Sequence, residues 1–294
     1  MSCQLQRLRS FKPVGLFVIM NLMLSSVNGR NEAHPNANGL FGRVKAIRTE
    51  VASFFRQADK WVESPRTRLE TSAYDVKGNL TETLFYSPDG SVGRRQTNRY
   101  SDQGNLIEWA IYDAGNSLSR KQIITYNDQA KPAEVTVLNP DGRQISKVIY
   151  TYDDAGRRTG SIVYDANGSI ASTSTTTYNS EGKVSEATYH NADGSLRERL
   201  ILDYTGGGRM VETSRQNANG KTSGGVVAAY DDKGNLIEES TYQTDGLLIE
   251  RTVYAFEFDS VGNWVKRTAS KCIPQSGSPT LQPFQVMYRV IEYY

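Results

Sequence analysis

From Arg66 onward, short runs rich in Thr, Val, Ile and Tyr alternate with tight polar turns that carry Gly. The runs are about seven to nine residues long and almost free of internal Pro, so they predict β-strands rather than helices. Tyr230-Asp231-Asp232-Lys233-Gly234-Asn235-Leu236 shows one kind of turn, and Tyr242-Gln243-Thr244-Asp245-Gly246-Leu247-Leu248 follows twelve residues later. Each reads as a strand end, a corner and the start of the next strand. Connections this short force successive strands to run antiparallel, which predicts a meander of roughly sixteen to eighteen strands.

The two turns recur with a fixed step. Tyrosine occupies 74, 100, 126, 152, 178, 204 and 230, always 26 residues apart, and Gly follows four residues later except at Ala130. The second turn steps through Gly90, Asn116, Gly142, Gly168, Gly194, Gly220 and Gly246. Asn is the residue that best replaces Gly where φ is positive, so Asn116 marks a left-handed corner. In Asn139-Pro140-Asp141-Gly142, Pro sets the first corner, Asp accepts local backbone bonds and Gly closes a type I turn with a bulge. An eighth copy, Phe258-Asp259-Ser260-Val261-Gly262-Asn263-Trp264, arrives after 28 residues. Such self-similarity predicts a repeat protein whose units pack on their neighbours. The expected fold is all-β: an elongated antiparallel hairpin meander, open and curled or coiled.

Register follows from the turn. With the bulged three-residue loop, Tyr86 faces Val92, Tyr100 faces Leu106, Tyr112 faces Leu118, Tyr164 faces Ile170 and Tyr242 faces Leu248. Each pair sets a ring against an aliphatic chain, worth about 0.2 to 1 kcal/mol. Charges also form columns, with Glu at 82, 108, 134, 186, 212 and 238 and a cation at 95, 121, 147, 199 and 251. Gly160 and Thr173 empty both columns in the same copy. In the bulged register Glu82 and Arg95 fall on opposite faces, whereas a one-residue change of loop length sets them directly opposite each other. The aromatic register is preferred, because exposed ion pairs contribute little.

The ends differ from the middle. Residues 1–29 have the form of a secretory signal peptide: Arg7, Arg9 and Lys12, an apolar run from Val14 to Leu24, then small residues up to Gly29, the expected cleavage point. The run of 11 residues is too short to span a bilayer. Residues 30–41 are polar and expected to be flexible, and 42–73 supply N-terminal strands in which Phe54, Phe55 and Trp61 cap the open sheet. Seven hairpin repeats fill 74–257, and 258–294 hold the last repeat and the closing strands.

Charge and reactive residues narrow the chemistry. Loss of the leader takes three cations and no anion, so the net charge falls from +2 to −1 and a nucleic-acid partner has no compositional support. Cys272 is the one thiol outside the leader, which excludes an internal disulfide in the mature chain. It reads as a half-buried strand residue, and His190 as an aromatic substitute at a repeat tyrosine. Two isolated histidines make neither a zinc site nor a Cys/His dyad. Asp165-Ala166-Asn167-Gly168 spaces oxygen ligands as calcium loops do but lacks the distal bidentate Glu, and turn chemistry accounts for it. Gly206-Gly207-Gly208 occupies a hairpin turn and no Lys-Ser/Thr follows, so it is no phosphate loop. No catalytic residue, metal or cofactor is assigned. Trp109, Tyr112 and Tyr189 are the candidate contact residues for a ligand. Packing is the competing role for the tyrosine columns.

The YDxxGNL pattern with a second DG turn every 26 residues resembles the YD-repeat family of rearrangement-hotspot proteins and insecticidal-toxin shells, from Tyr74 to about Lys266. Gly42-Arg43-Val44-Lys45 and Gly262-Asn263-Trp264-Val265-Lys266-Arg267 also resemble stand-alone bacterial secreted or envelope forms. The resemblance implies stacked hairpins outside the cytoplasm and supplies no catalytic residues. The reading is a secreted or periplasmic, non-enzymatic scaffold binding a cell-envelope polysaccharide or a protein. A carrier or encapsulating fragment of a toxin system is the alternative. An outer-membrane barrel is rejected because its strands would carry charge on both faces.

Overall fold

The computed structural model describes residues 39–204, 210–243, 245–273 and 280–294. The leader and its cleavage point Gly29, nearly all of the polar segment 30–41 and the triple-glycine turn lie outside the described residues. In chain order the strands are β1 (Val44–Gln57), β2 (Lys60–Glu63), β3 (Thr67–Tyr74), β4 (Leu80–Tyr86), β5 (Val92–Tyr100), β6 (Leu106–Asp113), β7 (Leu118–Tyr126), β8 (Pro132–Leu138), β9 (Gln144–Tyr152) and β10 (Arg158–Tyr164). They continue as β11 (Ile170–Tyr178), β12 (Val184–Asn191), β13 (Leu196–Tyr204), β14 (Met210–Asn217), β15 (Thr222–Tyr230), β16 (Leu236–Tyr242), β17 (Leu248–Phe258), β18 (Trp264–Ile273) and β19 (Thr280–Tyr293).

From β3 to β19 every strand pairs antiparallel with the next, as the short turns require. The ends then meet. β1 lies between β3 and β19, pairing with both, so Ile47 faces Ser72 on one side and Ile291 on the other. The sheet therefore closes into an 18-strand barrel instead of remaining open and curled. Right-handed twist accumulates over so many strands, and closure removes the two edges an open meander leaves bare. Phe54, Phe55 and Trp61 have no open end to cap, and Trp61 faces Arg56 in the β1–β2 pairing. They lie where β1 runs past the barrel rim and pairs with β2, Phe55 facing Val62.

All the turns predicted from glycine spacing that fall within the described residues are present. Asp75 N bonds Asn79 O at 2.9 Å, and Gly78 N bonds Asp75 O at 2.9 Å. Asn116 has φ 60° and Ala130 φ 55°, so even the two positions without glycine keep the left-handed corner.

The five aromatic pairs stand in the expected register. The charges are not on opposite faces, because the ladder slips one residue beside each turn. Tyr86 faces Val92, but Phe85 already faces Arg94, which leaves Gly93 as the extra residue. Beyond this bulge Glu82 faces Thr97 and Arg95 faces Leu84, which puts Glu82 and Arg95 diagonally on one face. Both columns are satisfied at once.

The barrel consequently has two distinct faces. One, the tyrosine face, carries the 26-residue tyrosines, the side chains at Thr83, Trp109, Val135 and Ala187, and most of the buried strand residues. The other, the ion-pair face, carries the Glu and Arg/Lys columns.

Candidate functional site

Five of the 26-residue tyrosines reach across to the preceding hairpin. Tyr100 Oη donates to Leu80 O at 2.9 Å, Tyr126 to Leu106 O at 2.8 Å, Tyr152 to Pro132 O at 2.6 Å, Tyr178 to Arg158 O at 2.7 Å and Tyr204 to Val184 O at 2.7 Å. Burial of the phenols pushes their pKa values up, that of Tyr100 to about 12 with help from Asp75. This ladder is structural work.

On the ion-pair face, Arg95 Nε meets Glu82 Oε1 at 2.6 Å, Lys147 meets Glu134 at 3.6 Å and Arg251 meets Glu238 at 2.8 Å. Arg199 pairs with Glu186 in the same way. Arg95 also lies opposite Tyr112 of the next hairpin, 5.2 Å from its ring centre. Tyr112, a candidate contact residue, is thus tied into a stack that joins neighbouring hairpins.

Trp109 and Tyr189 lie on the tyrosine face, opposite Gln122 and Glu198 respectively. Arg120 stands 5.8 Å from the Trp109 ring and Arg197 stands 5.7 Å from that of Tyr189. Trp109 and Tyr112 point from opposite sides of β6, and Tyr189 is on β12, six strand steps of about 4.8 Å away along the wall. The three do not converge on one surface.

The tyrosine face holds another grouping that sequence reasoning missed. Arg94 stacks 4.1 Å from the Phe85 ring centre and Arg158 stands 5.2 Å from Tyr150. Arg289 lies 3.6 Å over the Trp264 ring, while Arg267 is 5.6 Å from the same ring and 5.4 Å from Tyr254. None of these four arginines, nor Arg120, forms an ion pair among the described residues, unlike the basic column opposite. Desolvation pushes Arg289 down to about 10, with Arg267 adding to the shift. Arg94 and Arg120 do share one 26-residue position, but the Trp264 grouping could not be found by that count, since β18 and β19 lie past the inserted residues.

Arg267 and Arg289 sit at the seam, where closure is locked beside them. Asn263, only 3% exposed, donates through Nδ2 to Phe41 O and Tyr293 Oη, both at 2.8 Å, and accepts from Phe41 N at 2.8 Å. Tyr293 Oη donates to Asp259 Oδ2 at 2.5 Å. Leu40, Val44 and Ile47 form the core cluster here, with Tyr74, Ile291 and Tyr293 against it.

A hollow of about 320 Å³ lies by Gly224, Gly225 and Tyr242, and its walls carry no charged side chain. Among the described residues no three His, Cys, Asp or Glu side chains group as a metal site. Cys272 is a half-buried free thiol in β18.

Fold and surface together define a closed antiparallel β-barrel with an arginine- and aromatic-bearing face. No family model matches the chain, and no curated protein matches it. Among solved structures it is similar to a porin-like protein from Bacteroides uniformis, at 13% identity and TM-score 0.45 over 85% of this chain and 98% of that one. A porin-like protein from Bacteroides vulgatus matches at 9% identity and TM-score 0.30, over 83% and 97%. TcdB2-TccC3 without its hypervariable C-terminal region matches at 14% identity and TM-score 0.27, over 79% of this chain and 14% of that one.

Proposed function

We propose that this chain is a non-enzymatic β-barrel scaffold of the bacterial envelope or exterior that binds a cell-envelope polysaccharide or a protein partner. One observation carries the reading: arginines stacked on aromatic rings, without carboxylate partners, on one face of a barrel whose other face neutralises its basic column. Stacked guanidiniums free of ion pairs keep donors for a ligand's oxygens, and rings beside them offer apolar contact. The leader-like N-terminus supports a place outside the cytoplasm.

The barrel is read as not spanning a membrane. Every second strand from β4 to β16 has only 7 or 8 residues, whereas spanning strands need about 9 to 11. Charges occupy both faces, and the two tyrosine rows near opposite rims point to opposite faces, so they do not form the paired girdles of a lipid-facing wall. Closure does favour an enclosed space, as the toxin-carrier reading requires. At the usual barrel tilt eighteen strands make a ring about 36 Å across, backbone to backbone. Side chains narrow it further, and a folded domain of about 100 residues, with a radius of gyration of about 13 Å, does not fit. The binding scaffold is therefore the preferred reading.

A glycan array and an envelope pull-down with the mature chain test it. Retention of a defined glycan or protein is expected, and silence in both overturns the proposal.

A further inference from the structure

The seam arginines narrow the binding scaffold to one ligand class, and the site rests on that scaffold reading. We propose that Arg267 and Arg289, held against Trp264, form a carboxylate-binding site for a uronic-acid residue of an acidic polysaccharide.

The two side chains share the tyrosine face on adjacent strands. Arg267 in β18 lies opposite Met287 in β19, and Arg289 is two residues further along. Both guanidiniums border the same indole, at 5.6 and 3.6 Å from its centre. The carboxylate nearest in effect is Glu70, which lies outside ion-pair distance of either and has Thr49 Oγ1 at 3.5 Å. Tyr74 is the other titratable neighbour. Arg289 Nε is buried with no hydrogen-bond partner, and Arg267 spends Nη2 on Met287 Sδ. Two like charges half out of water repel each other, and a bound anion offsets that cost. A guanidinium fork matches a carboxylate with two parallel bonds, which a neutral sugar cannot return.

The surroundings favour a glycan over a peptide. Phe256 and Phe258 stack at 6.0 Å, Phe256 meets Trp264 edge-on at 6.3 Å, and Tyr254 adjoins, so flat rings border the arginines. The backbone here is already paired on both sides, β18 with β17 and β19, and β19 with β1. A peptide therefore has no edge to extend, and recognition must run through side chains.

Titration calorimetry of the mature chain with oligogalacturonate, an uncharged galactan oligomer and polyglutamate tests the site. Oligogalacturonate should bind, weaken as salt is raised, and lose at least tenfold in affinity with Arg267→Gln. Arg289→Lys, which keeps the charge and loses the fork, should weaken it comparably, with far-UV circular dichroism showing both variants folded. If Arg289→Lys does not fold, Arg267→Gln alone decides. No binding of oligogalacturonate, unchanged affinity in the variants, or equal binding of polyglutamate overturns the site. If the neutral oligomer binds and both variants leave it unchanged, polysaccharide binding stands and only this site falls.

Discussion

The phenolic oxygen of Tyr100 donates to the carbonyl oxygen of Leu80 at 2.9 Å, twenty residues earlier and one hairpin back. Because Tyr126, Tyr152, Tyr178 and Tyr204 repeat it, the row fastens each hairpin to its predecessor independently of the backbone ladder. Tyr152→Phe keeps the ring and removes one rung. It should cost about 1 kcal/mol, read as a lowered denaturant midpoint with unchanged slope.

The same phenols make the barrel sensitive to alkali. Burial raises their folded-state pKa values above the ordinary 10, to about 12 for Tyr100. A group whose folded pKa is raised contributes stability that is complete below its unfolded pKa and vanishes as pH climbs through the folded one. Stability should hold to about pH 10 and drop between pH 10 and 12, with tyrosinate absorbance rising together with loss of β-structure. Smooth phenol ionisation in a still-folded barrel would contradict this.

Backbone corners account for a third expectation. Gly168 has φ 80° and open space where a Cβ would stand, so a substitution there meets only backbone strain. Gly168→Val should destabilise by about 1 to 2 kcal/mol and Gly168→Asn by less, since Asn116 already sits at the equivalent corner. The converse holds at Ala130, with φ 55°: Ala130→Gly should raise the melting temperature despite glycine's greater freedom in the unfolded chain. Thermal unfolding of the three variants checks the order.

Local chemistry of this kind is legible in the sequence. Turns, strand order and the aromatic pairs follow from spacing, because each is settled within about a dozen residues. Two features are not. The shared face of Glu82 and Arg95 depends on Gly93 dropping out of the ladder, and a single slip reverses every later inference about faces. Closure depends on β1 meeting β19, more than two hundred residues apart, through Asn263 binding Phe41 and Tyr293, a pairing no repeat count contains. The seam arginines share that limit, since they become neighbours only when β19 returns beside β18.

Asn263 offers a direct probe of the lock. Replacing it with Ala takes the side-chain partner from the half-buried Phe41 N–H and C=O, at about 1 kcal/mol for each bond lost. Asn263→Ala should therefore destabilise more than Tyr152→Phe and make the chain ahead of Val44 the first site of limited proteolysis. Equal effects of the two would mean that the lock contributes no more than one rung.

Closure itself can be trapped covalently. Arg48 and Val290 are direct partners across the β1–β19 seam, and opposed residues in an antiparallel pair have Cα atoms about 4.5 to 5.5 Å apart, inside the range a disulfide tolerates. In an open sheet these residues sit at the two far ends. With Cys272→Ser removing the competing thiol, the pair Arg48→Cys and Val290→Cys should oxidise within one molecule in mild oxidant, giving a faster-migrating monomer on non-reducing gels. The link joins residues 242 positions apart in sequence, and a loop of that length restricts the unfolded chain by about 5 to 6 kcal/mol in the chain-entropy relation, so the oxidised form should also melt higher. Dimers, or thiols that stay free while the protein is folded, would show that the strands do not meet.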